Sequence, residues 1–280
     1  MHKVCTIVPT HQAKFNHALD FLRTHNKFVT TDLFFSFSSY QEEEIFRKLV
    51  ETELDDNQRK DFCSLILNGL MYNRGIVTQK KLYSVNELVK TYDYVAVFDD
   101  ETIFVKPFDT LTAYKEIADS KVFKSNRRNN HLYHLIGVAE KMNLSTNQRL
   151  IEETDNFTQY WWFNDICVYD AKYFPEFFKW LTTHPNFQSM MSDFICFDYL
   201  IYSLWLICFK DFKLEKKMQQ FTFGAGAIET NYCDDTISEE FKSYADRNIN
   251  HENIEHIKVQ IMLDRSKEFL DDAANKQTYG

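Results

Sequence analysis

Three carboxylates in succession, Asp99-Asp100-Glu101, follow directly on the apolar run Tyr94-Val-Ala-Val-Phe98. Acidic groups gathered at the mouth of a buried strand lose hydration and repel one another, which is costly unless a cation compensates them. Hard oxygen donors in that setting suit Mg2+ or Mn2+, which complete their shells with water or phosphate oxygens. Adjacent aspartates by themselves carry little information. Asp55-Asp56, Asp234-Asp235 and Asp271-Asp272 also occur, in polar or terminal surroundings that read as solvated surface. Only the cluster at Asp99 has an apolar lead-in, and it predicts either a metal–phosphate site or an acidic turn at a strand end.

Further candidates lie elsewhere. Tyr160-Trp-Trp-Phe-Asn-Asp165 sets aromatics beside two small polar groups. Trp161 and Trp162 could stack on sugar C–H faces while Asn164 or Asp165 fixes hydroxyls, or the two tryptophans could alternate across a strand with one in the core. Asp198 opens the strongly apolar segment Tyr199–Phe209. A carboxylate there could act as a general base or cap the helix, and for capping Asp193 is better placed. Phe223-Gly-Ala-Gly-Ala-Ile228 could bring backbone close to a ligand or make a tight turn. Arg127-Arg128 could grip an anion, with a solvated loop as the plainer explanation.

The elements that must position these residues follow from the apolar pattern. Lys3–Val8, Asp32–Ser38, Tyr94–Phe98 and Thr102–Val105 read as strands, with Pro9 and Pro107 closing the first and last. Ala13–Thr24 and Glu42–Glu53 have helical periodicity, and Phe62–Met71 reads as a further, helical segment. Leu82–Thr91 reads as a helix capped by Ser84, with Glu87 completing a capping box. A charged helix is expected around Met262–Leu270. Strands alternating with helices predict an α/β fold with a mostly parallel central sheet covered on both faces, in which ligands sit at the carboxyl ends of the strands. That rule singles out Pro9-Thr10-His11 and Asp99-Asp100-Glu101.

Composition narrows the class. With 44% apolar residues, 26 Phe and only 6 Gly and 4 Pro, the 280-residue chain can bury a large core and is neither a disordered linker nor a many-turned all-β protein. A formal charge of −9 argues against a general nucleic-acid binder, so an anionic ligand needs local lysines, arginines or a bound cation. The six cysteines show no C-x-x-C spacing and read mostly as buried, reduced thiols. The N-terminus is too short in apolar residues for a signal peptide, and the run Tyr199–Phe209 falls short of the ~20 residues a spanning helix needs. A cytoplasmic location is the resulting expectation.

The order Val8-Pro9-Thr10, then Gln79-Lys80-Lys81-Leu82, then Val95-Ala-Val-Phe-Asp-Asp-Glu-Thr-Ile-Phe-Val105 resembles the GT-A glycosyltransferases, in particular small bacterial and large-DNA-virus (chlorovirus-like) members. The likeness covers residues 3–110 and, more loosely, 160–205. Those enzymes carry a D-x-D motif at the end of a central strand; here the motif is Asp-Asp-Glu. The resemblance implies one GT-A domain, with a donor-binding half over residues 1–110 and an acceptor-binding half over 111–280. It implies that Pro9, Thr10 and His11 line the nucleoside pocket, with Asp32 or Ser38–Ser39 nearby. Lys80 or Lys81 would neutralise a diphosphate. Asp99 and Glu101 would hold Mn2+ or Mg2+, with Asp100 near the ribose or donor sugar and a C-terminal histidine, His251 or His256, joining the metal. Trp161, Trp162 and Asn164 would bind the acceptor, and Asp198, or Asp165 in its place, would be the catalytic base.

The activity so implied is metal-dependent transfer of a sugar from a UDP-sugar, with UDP-xylose a candidate, to a glycan or glycoprotein acceptor. With Asp198 as base the course is inverting; with no carboxylate on the acceptor hydroxyl it is retaining. Two other classes remain open. A haloacid-dehalogenase-type phosphohydrolase also ends a strand in acidic residues, but its spacing fails at Glu101 and Ile103. A non-catalytic nucleotide-sugar-binding module is the other.

Overall fold

The structure, a computed structural model, describes residues 2–56, 59, 61–71, 73, 75–100, 102–104, 109–120, 123–125, 132–157, 160–162, 167–193, 195–213 and 258–260. Its centre is a five-stranded sheet built from β1 (Val4–Pro9), β2 (Asp32–Phe37), β3 (Cys63–Ile66), β4 (Tyr94–Val97) and β8 (Cys167–Asp170), in the order β3-β2-β1-β4-β8. The first four run parallel, with Cys5 opposite Asp32, Phe34 opposite Cys63 and Ile7 opposite Val97. β8 closes the sheet antiparallel to β4, Val97 facing Cys167. The expected mixed, mostly parallel α/β fold is therefore present, and residues from both expected halves share one sheet.

Parallel neighbours need crossovers, and helices supply them. α1 (Phe15–Phe28), after a short 3-10 turn at Gln12–Lys14, joins β1 to β2; α2 (Tyr40–Glu53) joins β2 to β3; α3 (Ile76–Leu88) joins β3 to β4. After β4 come β5 (Thr102–Phe104), α4 (Thr110–Ser120), β6 (Phe123–Ser125), α5 (Leu132–Lys141), α6 (Gln148–Glu153) and β7 (Tyr160–Trp162). β8 is followed by α7 (Phe174–Thr183), α8 (Phe187–Ser192), α9 (Asp198–Phe209) and β9 (Lys258–Gln260). Two small antiparallel pairs, β5 with β9 and β6 with β7, stand outside the main sheet.

A strand buried on both faces sends successive side chains to opposite sides. Cys5, Ile7, Val95 and Val97 enter a core shared with α3, α5, α7, α8 and α9. Val8, Phe35, Phe37, Ala96 and Phe98 enter a second core against α1, α2 and α4. In the second, Phe46 meets Phe15 at a ring separation of 5.0 Å and Phe35 at 4.9 Å, within the range of favourable tilted aromatic pairs. α9 is apolar all round, and Leu200 through Ile207 are buried, as expected of a helix sunk in a core. Among the described residues no helix is long and apolar enough to cross a membrane.

Two readings of local structure are corrected. Phe62–Met71 contains strand β3, not a helix. Cys63 is exposed and Ser64, Leu65 and Ile66 are half-buried, so this edge strand shows neither periodicity cleanly. α3 begins at Ile76, six residues before the expected start, and Ser84 is buried mid-helix with its hydroxyl unbonded rather than capping. The actual N-cap is Gly75, which lies so close to α8 that a Cβ there would stand 2.1 Å from the Met191 carbonyl oxygen.

Candidate active site

In the order β3-β2-β1-β4, the chain leaves β1 toward one edge through β2 and β3 and returns to place β4 on its other side. The strands on either side of β1 thus diverge in connection, and a crevice opens at the carboxyl ends of β1 and β4. A cavity of about 410 Å3 lies there, lined by Pro9, Thr10, His11, Lys14, Ser38, Glu42, Ile76, Val77, Lys80, Asp99 and Asp100. The sheet ladder runs up to its floor, the Thr10 amide donating to the Ser36 carbonyl and the Phe98 amide to the Ile7 carbonyl. Beyond Phe98 the chain turns, the Thr102 amide donating to the Asp99 carbonyl at 3.1 Å.

The two adjacent aspartates have different partners. Asp100 is buried and accepts the Thr10 hydroxyl at 2.9 Å. Asp99 stays half-exposed and accepts the Lys81 ammonium, Nζ to Oδ1, at 2.8 Å.

α3 distributes its polar residues in the same way. Successive positions on a helix point about 100° apart, and Gln79, Lys80 and Lys81 have three separate destinations. The Gln79 amide donates to the Met191 carbonyl at 3.1 Å and its oxygen accepts the Met71 amide at 2.9 Å, pinning α3 to the end of α8. Lys80 donates to the Thr10 carbonyl at 2.7 Å and faces the Glu42 carboxylate at 3.7 Å. Burial lowers the affinity of Lys80 for its proton, and Glu42 and Asp100 partly offset this. Glu42 is itself held by α2's start: Ser39 caps the helix through the Glu42 amide, and the Glu42 carboxylate accepts the Ser38 amide at 2.7 Å. Lys81 is largely buried. Burial opposes its charge, but Asp99 and Asp198 outweigh that penalty and hold the ammonium well above the usual lysine range.

Behind Lys81 lies Asp198, the first residue of α9, 3.8 Å from the same ammonium. Its other oxygen accepts the hydroxyl of Tyr169 on β8. The residue is 1% exposed. Burial raises its proton affinity, while Lys81 and the Tyr169 hydrogen bond pull the other way. Tyr169 itself stays neutral, burial and then the Asp198 charge raising its phenol far above the ordinary range.

The structure thus brings Pro9, Thr10, His11, Lys80, Asp99 and Asp100 to one cavity and sets Asp198 behind its wall. It does not bring Asp32 there: that residue begins β2 at the amino end of the strands, where its carboxylate accepts the Tyr92 hydroxyl at 2.7 Å. Ser38 does line the cavity. Asp193 closes α8, where its carboxylate accepts the Ile195 amide and pairs with Lys141 at 3.1 Å, rather than capping α9. Trp161 and Trp162 lie on β7, opposite Lys124 and Phe123. Glu101, Asn164, Asp165, His251, His256, Arg127–Arg128, the Gly224–Gly226 stretch and the helix expected near Met262–Leu270 fall outside the described residues. Lys81 was named beside Lys80 as a diphosphate partner, but its place between Asp99 and Asp198 was not foreseen. Its signal was its place one step beyond Lys80 on a helix whose next turn is apolar.

Asp99 and Asp100 fit one requirement of a divalent cation, two hard oxygen donors on a single cavity wall, as Mg2+ held jointly with substrate phosphates requires. Among the described residues no three His, Cys, Asp or Glu side chains form a complete metal-binding group. No family model matches the sequence and no curated protein does. Among solved structures, the apo form of mouse xyloside xylosyltransferase 1 aligns over 87% of this chain and 93% of its own, at 7% identity and a TM-score of 0.42. A likeness that slight assigns no role to any residue here.

Proposed function

We propose that this chain is a nucleotide-sugar-dependent glycosyltransferase whose donor occupies the cavity between the ends of β1 and β4. One observation carries the reading: a cavity of about 410 Å3 at the point where the strand connections diverge, walled by Asp99 and Asp100 on one strand end and by Lys80 on the facing helix. The volume falls in the range of small-molecule sites. Pro9, Ile76 and Val77 offer an apolar wall for a nucleobase, and Ser38 and His11 offer polar groups at its edge. The starts of α2 and α3 both border the cavity, and the positive ends of their dipoles favour an anionic group beside Lys80.

In this reading Asp99 and Asp100 hold Mn2+ or Mg2+ together with the donor's diphosphate, with Glu101 and His256 as further ligands. The cation, when bound, offsets the charge that develops on the departing diphosphate. The chain's own residues position the donor: Thr10 fixes Asp100, Lys80 fixes the Thr10 carbonyl, and Lys81 fixes Asp99. The acceptor is a glycan, with Trp161, Trp162 and Asn164 as its contacts, and UDP-xylose is the first donor to try. An inverting course requires a base at the acceptor hydroxyl; Asp198 is buried outside the cavity lining, which leaves Asp165 for that role, and product anomeric configuration by NMR decides the course.

The test is a thermal-shift panel of nucleoside diphosphates and nucleotide sugars, with and without Mn2+. A donor present at 100 times its Kd adds about 2.7 kcal/mol of stability. UDP should shift the wild type only with Mn2+, and the Asp99→Ala variant not at all. If no nucleotide shifts the wild type under either condition, the reading fails. Hydrolysis of p-nitrophenyl phosphate lost in Asp99→Asn would instead identify a phosphohydrolase.

A further inference from the structure

Asp99 is the outermost member of a chain of four groups contributed by four elements. It stands at the end of β4, Lys81 on α3, Asp198 at the start of α9 and Tyr169 on β8. Lys81 Nζ lies 2.8 Å from Asp99 Oδ1 and 3.8 Å from Asp198 Oδ1, and the far oxygen of Asp198 accepts the Tyr169 hydroxyl. Side-chain exposure falls along the series, from 45% at Asp99 to 13% at Lys81 and 2% at Asp198. Cys167, on β8, also faces the ammonium.

We propose that Asp198 is a positioning residue: it acts on the cavity through Lys81, drawing part of the ammonium's charge away from Asp99 so that Asp99 remains available to a cationic ligand. This rests on the reading of the cavity as a site for a metal-bound nucleoside diphosphate.

One ammonium stands between two carboxylates of unequal freedom. Asp198 is fixed, by the Tyr169 hydroxyl on one side and by its place in the first turn of α9, where the helix dipole favours a negative charge. Asp99 is half-exposed at a turn. Lys81 is thus shared between an anchored acid and one that faces the cavity. If Asp198 loses its charge, the ammonium commits wholly to Asp99, compensates that carboxylate and competes with any cation there. Among the described residues Asp198 reaches the ligand site through Lys81 and by direct repulsion of Asp99, so the larger part of its influence should disappear when the lysine's charge is removed. A general base would behave differently, because its effect is felt at the acceptor and needs no lysine.

The experiment uses the full chain and Mn2+ with UDP as the probe, read by titration calorimetry. Asp198→Asn keeps the shape and the carbonyl that can receive the Tyr169 hydroxyl. It should weaken Mn2+-dependent UDP binding about tenfold. In a Lys81→Gln background the same change should move the affinity less than twofold. Unchanged UDP affinity in Asp198→Asn, with turnover reduced a hundredfold or more, would overturn the proposal in favour of a base. A ligand-free arm decides the linkage separately. Urea unfolding of Asp99→Asn, Asp198→Asn and the pair, with Lys81 present and with Lys81→Gln, should show a coupling between the two acids that differs between the two backgrounds, because direct repulsion remains in both and the shared ammonium in one. Equal coupling in the two backgrounds overturns the proposal even if UDP binds. Lysine-dependent coupling with no UDP binding by the wild type upholds the linkage and removes the nucleotide reading alone. If Lys81→Gln does not fold, Lys81→Arg, which keeps the charge, must retain the coupling.

Discussion

Replacing Gly75 by alanine sets two effects of opposite sign against each other. Gly75 has φ −95° and ψ 11°, a conformation open to alanine, so the backbone does not demand glycine. Taken alone, the change would stiffen the unfolded chain and stabilise the protein by about 0.4–1 kcal/mol. The new Cβ, however, would lie 2.1 Å from the Met191 carbonyl oxygen and 2.7 Å from its carbon. These are backbone atoms, and the groups must part by about 1 Å or more to reach ordinary contact. Overpacking of that kind costs about 1–3 kcal/mol. The same carbonyl receives the Gln79 amide, and losing that bond adds about 1 kcal/mol. The net expectation is destabilisation of about 2 kcal/mol, or a urea midpoint lower by about 1 M at an m-value near 2 kcal/mol/M. Because Lys80 and Lys81 stand on the same helix, UDP affinity in the presence of Mn2+ should fall as well. Gly69 is the control. Its φ is +78°, and a Cβ added there would meet no atom within 4 Å. Gly69→Ala should therefore cost about 1 kcal/mol through backbone strain alone and leave ligand affinity unchanged. A Gly75→Ala protein at least as stable as the wild type would refute the close approach of α3 to α8.

Thr10→Val removes the donor to buried Asp100 while keeping shape. It should cost about 1–3 kcal/mol in urea unfolding and weaken Mn2+–UDP binding, with Thr10→Ser restoring both; an effect on neither would separate Asp100 from the site. The third prediction concerns pH. Lys81 holds its proton more tightly in the folded state than its ordinary value of 10.5. Its stabilisation is therefore complete below that value and is lost as pH rises through the folded one, by about 1.4 kcal/mol per pH unit. The stability difference between wild type and Lys81→Gln should stay level from neutral pH to about 10 and shrink above it. A gap that persists unchanged in stronger alkali would show that the ammonium is not held by Asp99 and Asp198.

Much of the frame was legible because it depends on short-range apolar pattern. Val4–Pro9, Asp32–Phe37 and Tyr94–Val97 are buried on both faces, and such strands read as unbroken apolar runs. Sheet polarity then places Thr10 and Asp99 together without further information. What sequence could not show depends on tertiary contact. Cys63–Ile66 pairs with β2 along one edge only, and its half-burial erases the alternation that would mark a strand. The start of α3 was misplaced because Ile76-Val77-Thr78 is β-branched and Gly75 looks like a breaker. Glycine is required there because the Met191 carbonyl leaves no room for a side chain, a contact that only the fold reveals. Ser84 and Glu87 match a capping box in spelling, yet α3 is already two turns old when it reaches Ser84. Lys80 and Lys81 look alike on paper. One helical step sends the first to Thr10 and Glu42 and the second between two acids, Asp99 and Asp198, that lie far apart in sequence.

Gln79, Lys80 and Lys81 behave as one word rather than three letters. Each is addressed to a different neighbour by its angle on the helix, so a single-residue insertion between Gly75 and Gln79 would turn all three by about 100° at once and misdeliver every contact. Point substitutions here can be repaired one at a time; a shift of frame cannot. A length change within α3 ahead of Gln79 should therefore cost more than any single substitution there.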